Sequence, residues 1–194
     1  MQMRKSNKRA LFFEETLKLI YEKGFKATTI RDIADRLNFK EANVYNYVDS
    51  KQALLEGYIF DIQNEFHTAM NHIIDSTYLP NEKLRLVISS YIQITSKRPY
   101  EQALFMNDWR NLKEPRLQEF INSRKAYEEK LKTIIEAGVS QGQFRVLNLT
   151  LTTQTIMAAL RWLYILYIGQ KTNLNPIEVE KQLTDFIFTG IHNE

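Results

Sequence analysis

A chain of 194 residues, 44% hydrophobic and 25% charged, has the make-up of one folded globular unit, or of one large domain with a small one attached. It contains no cysteine, which excludes disulfides, thiolate metal sites and a cysteine nucleophile; six Gly and four Pro leave few tight turns and favour helix. The net charge of +3 is uneven: residues 1–51 hold 11 Lys and Arg against 7 Asp and Glu, and the remaining 143 hold 15 against 16, so a basic end on a near-neutral body points to a polyanionic partner.

The opening segment Met1-Gln-Met-Arg-Lys-Ser-Asn-Lys-Arg9 has no apolar stretch behind its charges and does not read as a secretory signal. Residues 10–23 carry a helical apolar set at Leu11, Phe12, Leu17, Leu19, Ile20 and Tyr21, with Gly24 as the stop. A short helix follows, with Thr28 or Thr29 as N-cap and Ile30, Ile33, Ala34 and Leu37 at i, i+3, i+4, i+7. Asn38 suits a left-handed turn, and a third short helix fits 40–47 on Ala42, Val44 and Tyr45. Asp49-Ser50 caps a fourth, long helix whose stripe runs from Leu54 to Ile74 and reaches about Ser76, with Pro80 ending it. Further helical patterns fit 81–97, 99–112, 115–141, 149–171 and 176–192. Pro99 and Pro115 sit where first-turn prolines belong, and Asn175-Pro176-Ile177-Glu178 supplies an N-cap, a first-turn Pro and a Glu at the third position. No segment alternates with period two over strand length, so the expected fold is all-α with about nine helices.

Two short helices joined by a tight turn over 28–47, preceded by a basic arm, give a helix-turn-helix layout in which the second helix enters the major groove. The residue types suit it. Asn43 can pair bidentately with adenine, Lys40 can reach a guanine or a phosphate, and Tyr45 and Tyr47 can donate to phosphates. Thr29 and Arg31 stand at a helix start, where backbone N–H groups favour a phosphate, and Lys51 opens the fourth helix in the same role. Glu41 either accepts from a cytosine amine or favours its own helix N-terminus, and Tyr45 either touches phosphate or serves the core. Arg4, Lys5, Lys8 and Arg9 form an arm that is either a solvated tail or an electrostatic, minor-groove contact.

The strings Lys23-Gly24-Phe25-Lys26-Ala27-Thr28-Thr29-Ile30-Arg31-Asp32-Ile33-Ala34 and Val44-Tyr45-Asn46-Tyr47-Val48-Asp49-Ser50-Lys51-Gln52-Ala53-Leu54-Leu55 closely resemble the DNA-binding domain of the tetracycline-repressor (TetR) family, over about residues 10–58. The resemblance implies an N-terminal three-helix DNA-binding domain over 1–50 and a C-terminal helical ligand-binding and dimerisation domain over 51–194. It further implies a homodimer that binds a palindromic operator in double-stranded DNA and releases it when a small molecule enters the C-terminal domain. Three positions depart from the family pattern: Asn38 for a turn Gly, Val48 for an aromatic, and Lys40-Glu41-Ala42-Asn43 where small and hydroxyl residues are usual. They bear on operator sequence and leave the binding mode intact.

For the C-terminal part, Tyr91, Phe105, Met106, Trp109, Arg124 and Tyr127 are the candidate ligand-binding residues. Arg124 lies in register with the apolar stripe Leu117, Phe120, Ile121, Tyr127, Leu131, Ile134 and Ile135, so it requires an anion there. That anion is either an internal partner, an Asp such as Asp108 or a Glu, or a ligand carboxylate or phosphate. The stretch Trp109 to Phe144 resembles the ligand domains of acyl-CoA-responsive members, which makes acyl-CoA or another apolar molecule the expected effector. Ile156 to Ile168 is apolar all round apart from Arg161 and needs cover on every side. A subunit interface built on Ile156, Leu160, Leu163, Tyr164, Leu183, Phe186 and Ile187 is expected to supply it, with Arg161 in an ion pair there or on the ligand.

That 13-residue run is too short to cross a bilayer, so no membrane partner and a cytoplasmic location are expected. His67 and His72 are five apart, about 140° round a helix, and do not form a metal pair. No nucleophile elbow, phosphate-cradling Gly loop or zinc-protease string appears, so neither catalysis nor a metal or cofactor is expected. The reading is a ligand-responsive transcriptional regulator, most simply a repressor; the alternative is a helical small-molecule binding protein without a DNA role.

Overall fold

In a computed structural model the described residues are 2–145, 148–169 and 174–191, with side chains from Lys8 onward. They form ten α-helices and no strand: α1 Gln2–Lys23, α2 Ile30–Arg36, α3 Glu41–Val44, α4 Lys51–Asp75, α5 Pro80–Lys97, α6 Pro99–Asn107, α7 Arg116–Ser140, α8 Leu149–Arg161, α9 Leu163–Gly169 and α10 Pro176–Ile191. The extra helix relative to the sequence reading arises at Trp162, which adopts a turn and divides the expected 149–171 helix into α8 and α9. The expected 99–112 helix likewise stops at Asn107 and continues as a 3-10 turn, Trp109–Asn111. Pro80 opens α5 instead of closing α4, which ends at Asp75. The arm is helical in its backbone from Gln2.

The chain divides into two compact units, Met1–Ile62 with Tyr100–Gln118, and Gln63–Pro99 with Glu119–Glu194. The division falls inside α4, and the first unit includes the additional segment 100–118. In the first unit Phe12, Ile20, Ile33, Ala34, Val44, Leu55 and Ile59 are buried to 1% exposure or less. Polar ties fix the helices about this core: Arg36 on α2 pairs with Glu15 and Glu22 on α1, and the Tyr58 hydroxyl on α4 donates to the Phe13 carbonyl at 2.7 Å.

In the second unit α5 is central, with α8, α9 and α10 packed against it. Leu84, Ile88 and Ile92 of α5 and Phe120, Leu131 and Ile135 of α7 are fully buried. After α7 the chain turns at Gly142, whose φ of +69° suits glycine, and brings Phe144 back under Gly138. A Cβ at Gly138 would fall inside the Phe144 ring, so only glycine allows this return.

Candidate nucleic-acid interface

The layout over 28–47 is built by local chemistry. α1 stops at Gly24, in the left-handed region at φ +82°, and the intervening turn places Thr29 as the N-cap of α2. Thr29 Oγ1 accepts from the Asp32 amide at 3.1 Å, and the Asp32 carboxylate accepts from the Thr29 amide at 2.8 Å: a reciprocal capping box. Lys23 adds an ion pair to Asp32 at 2.6 Å, and that ammonium, with the Thr29 donors, holds the carboxyl well below the usual range. α2 ends in a left-handed turn at Asn38, φ +53°, so Asn does here what Gly commonly does. α3 follows at once, anchored by Val44, which is fully buried.

With Val44 turned inward, Lys40, Glu41, Ala42, Asn43 and Tyr45 are all exposed. Arg31 on α2 is also exposed, and its Nε lies 4.0 Å from the Glu41 carboxylate. Neighbouring short helices thus present a guanidinium, an ammonium, an amide, a phenol and one carboxylate on the surface, a donor-rich set suited to phosphates and base edges. Lys8 and Arg9 are exposed on α1, with the Arg9 guanidinium 5.6 Å from the Phe13 ring centre; the side chains of Arg4 and Lys5 lie outside the described residues.

Three candidates are placed differently from the sequence reading. Tyr47 stacks between Phe12 (centroids 4.4 Å apart) and Phe39 (5.8 Å), so its ring holds α1 against the helix-turn-helix and it is only half-exposed. The Thr29 hydroxyl is engaged with Asp32, to which it donates at 2.7 Å. Lys51 is the most fully engaged within the protein. Its ammonium donates to the carbonyls of Phe25 at 2.9 Å, Lys26 at 3.3 Å and Thr28 at 2.7 Å, and lies 4.5 Å from the Phe25 ring centre. All three of its N–H groups are used on the α1–α2 turn, which leaves none for a phosphate in this arrangement.

The ligand candidates do not gather in one unit. Phe105, Met106 and Trp109 belong to the first; Tyr91, Arg124 and Tyr127 belong to the second. In the second, Phe66 of α4 stacks on Tyr91 (4.5 Å) and meets Tyr127 edge-on (6.3 Å). Burial raises the Tyr127 phenol pKa, with Tyr91 adding to the effect, so the hydroxyl stays protonated. The anion at Arg124 is Glu128, one turn on at 3.6 Å. Arg161 pairs with the same carboxylate, which also accepts from Gln154 at 2.8 Å. Burial, then the neighbouring Arg161, lowers the Arg124 pKa, against the pull of Glu128. The sequence reading allowed for a Glu without fixing on Glu128; the i, i+4 spacing was the signal that could have identified it.

Within one protomer the interface candidates divide by exposure. Ile156, Leu160, Leu163, Tyr164 and Ile187 are all below 9% exposed within one protomer, because α8, α9 and α10 turn that side onto α5. Phe186 does face out, at 73% exposure, and Leu183 is half-buried. Other outward apolar residues of this region are Leu151 and Ile177, at 65% and 74%, and Trp162 and Ile165 at and after the turn, at 46% and 49%. Arg161 makes its ion pair inside the protomer.

The fold and its exposed α2–α3 face define a helix-turn-helix DNA-binding protein with an all-helical second part. Residues 12–58 match the model for bacterial regulatory proteins of the tetR family, and residues 78–191 match the tetracyclin repressor-like C-terminal domain. The chain belongs to the tetR family and is a DNA-binding transcriptional regulator, a class of protein that does not act as an enzyme. It is 27% identical over 175 residues to the HTH-type transcriptional repressor KstR2 of Rhodococcus jostii, covering 81% of this chain and 80% of that one. To the KstR2 of Mycolicibacterium smegmatis it is 26% identical over 125 residues, 64% of this chain and 61% of that repressor, so this match spans less than two thirds of the relative. The solved ketosteroid transcriptional regulator KstR2 of Mycobacterium tuberculosis superposes with a TM-score of 0.88 over 96% of each chain at 21% identity. AibR, solved with isovaleryl coenzyme A and operator DNA, superposes with a TM-score of 0.74 at 17% identity, covering 93% of this chain and 96% of that one. Among the described residues no helix is long and apolar enough to cross a membrane.

Proposed function

We propose that the protein is a repressor that binds a palindromic operator as a homodimer and is released by a small apolar or acyl-type effector. The observation that carries the DNA part is the exposed set Arg31, Lys40, Glu41, Asn43 and Tyr45 around the buried anchor Val44. In this reading Asn43 reads an adenine, Lys40 a guanine or phosphate, and Arg31 and Tyr45 take phosphates. Lys8 and Arg9, with Arg4 and Lys5, add charge toward the backbone. Thr29, Tyr47 and Lys51 act at one remove by fixing the elements that carry these groups.

The dimer reading rests on the outward apolar residues Trp162, Ile165 and Phe186, with half-buried Leu183 three residues before Phe186. Large apolar side chains left in water at the α8–α9 turn, on α9 and on α10 favour a partner surface. The effector is assigned to the second unit, at Tyr91, Arg124 and Tyr127. An aromatic pair beside an arginine that shares one carboxylate with Arg161 fits an apolar body ending in a carbonyl or an anion. The complex of AibR with isovaleryl coenzyme A supports an acyl thioester as the first candidate. An effector that binds one dimer spacing more tightly than the spacing DNA requires, about 34–36 Å between recognition helices, shifts the population away from the operator. The test is anisotropy of labelled upstream DNA with short- and medium-chain acyl-CoA thioesters added. Release by a thioester, and not by free coenzyme A, supports the effector class; the same response to both overturns it.

A further inference from the structure

We infer that a cleft between α1 and α6, lying wholly within the first unit, is a binding site for a small organic ammonium ion. The cleft has a volume of about 200 Å³, with Leu17, Ile20, Tyr21, Tyr100, Leu104 and Asp108 in its wall. It is smaller than the 300–1,000 Å³ or so that drug-sized ligands occupy, and corresponds to about seven waters of liquid volume. A compact amine fits this space; an extended acyl thioester does not. The site is therefore separate from the effector region assigned to the second unit and does not rest on that assignment.

The chemistry of the wall selects the charge. Leu17, Ile20 and Leu104 are each no more than 5% exposed and offer an apolar body nothing but hydrocarbon. Against them stands the Asp108 carboxylate, half-buried between α6 and the 3-10 turn. Its Oδ1 accepts from the Phe25 amide at 3.4 Å and from the Asn111 side-chain amide at 3.2 Å, both long contacts on the same oxygen. Among the described residues no Lys, Arg or His forms an ion pair with it. A carboxylate drawn out of water without a cation is under-stabilised, and burial accordingly raises its pKa against the pull of the Phe25 amide.

An ammonium group in the cleft would supply the missing charge, and the aromatic residues supply a second attraction. Tyr21 and Tyr100 meet edge to face with ring centroids 5.7 Å apart, and Tyr21 keeps 41% of its surface in solvent, ring area that a bound cation would cover. Ring faces attract cations most strongly when water is excluded. An anionic ligand would meet Asp108 unfavourably, and a neutral one would leave the carboxylate as it is. The cleft also adjoins the segment that sets the helix-turn-helix: Gly24 is part of its wall, and the Phe25 amide is held by Asp108.

The test uses the full chain with benzylammonium as probe and benzyl alcohol as its neutral isostere, titrated by calorimetry. The expected result is saturable benzylammonium binding, about tenfold or more tighter than the alcohol. Asp108→Asn keeps an oxygen for the Phe25 amide and is expected to bring the two probes to near-equal affinity. Tyr21→Leu, at a partly exposed position, is expected to weaken benzylammonium severalfold and the alcohol little; it tests the site independently should Asp108→Asn fold poorly. Equal affinity of the unsubstituted chain for both probes, a preference for benzylammonium that survives Asp108→Asn, one left undiminished by Tyr21→Leu, or no saturable binding would each overturn the assignment.

Discussion

Replacing Lys51 by Met separates two roles for one ammonium. Met keeps the apolar stem and removes the three donors that reach the carbonyls of Phe25, Lys26 and Thr28 at 2.9, 3.3 and 2.7 Å. A hydrogen bond to a charged group contributes roughly 1.5–3 kcal/mol, but this site is half-exposed and water can take over at the carbonyls. The 3.3 Å contact is also weak, and the placement over the Phe25 ring adds only a little in partial exposure. The net loss should be about 2 kcal/mol, which for a chain of this size lowers Tm by roughly 4–8 °C. The assay pairs thermal unfolding at fixed protein concentration with operator affinity measured across a salt series. Because the ammonium makes no phosphate contact in this account, log Kobs should keep its slope against log salt while the protein melts lower. An unchanged Tm with a slope reduced by about one would mean that Lys51 works on the DNA backbone, and would refute the reasoning.

Asn43→Ala should leave the melting temperature within about 1 °C, since the side chain is exposed, yet cost roughly 1–3 kcal/mol of discrimination at one base pair in a mutated-operator panel. Gly138→Ala should destabilise by about 1–3 kcal/mol in urea unfolding, because its methyl group needs the space of the buried Phe144 ring. His67, with Nε2 2.8 Å from Ser123 Oγ and its ring against Tyr127, has a pKa lowered by burial and then by Lys130, so the fold favours the neutral ring. A base depressed in the fold costs stability once the unfolded chain begins to bind the proton. Unfolding free energy should therefore fall as pH drops below about 6.5, and a His67→Gln variant should flatten that fall. Phe186→Asp places a charge on an outward apolar residue and should shift the sedimentation profile toward monomer with little change in helical content.

The readable parts of the sequence were those fixed by local backbone chemistry. Gly24 and Asn38 in the left-handed region, Thr29 as N-cap, and Asn175 capping α10 by accepting from the Ile177 amide at 3.0 Å all follow from residue type and spacing. Asn43 and Lys40 fell on an exposed face because Val44 on the same short helix had to point inward. What depended on long-range geometry was not legible. Lys51 looks like any surface lysine at a helix start until the fold brings the carbonyls of residues 25–28 to it. The run Ile156 to Ile168 gives no sign of which side its own chain covers, since every side is apolar; the turn at Trp162 and the packing on α5 decide that. Arg124, in register with an apolar stripe, announced a buried charge, but Arg161 reaches the same Glu128 from 33 positions away. Asp108, suggested by the sequence as a partner for Arg124, instead holds the Phe25 amide.

The measurement closest to the central claim is fluorescence anisotropy of the purified protein on the DNA upstream of its own gene, at several salt concentrations and against a scrambled duplex. A regulator reading DNA through Arg31, Lys40, Asn43 and Tyr45 should bind in the ~10 nM range or tighter, weaken steeply as salt rises, and prefer its own site by about a thousandfold or more. Weak binding that is indifferent to sequence, there and across a randomised duplex library, would contradict the claim. It would leave a helical small-molecule binding protein that carries the helix-turn-helix without an operator to read.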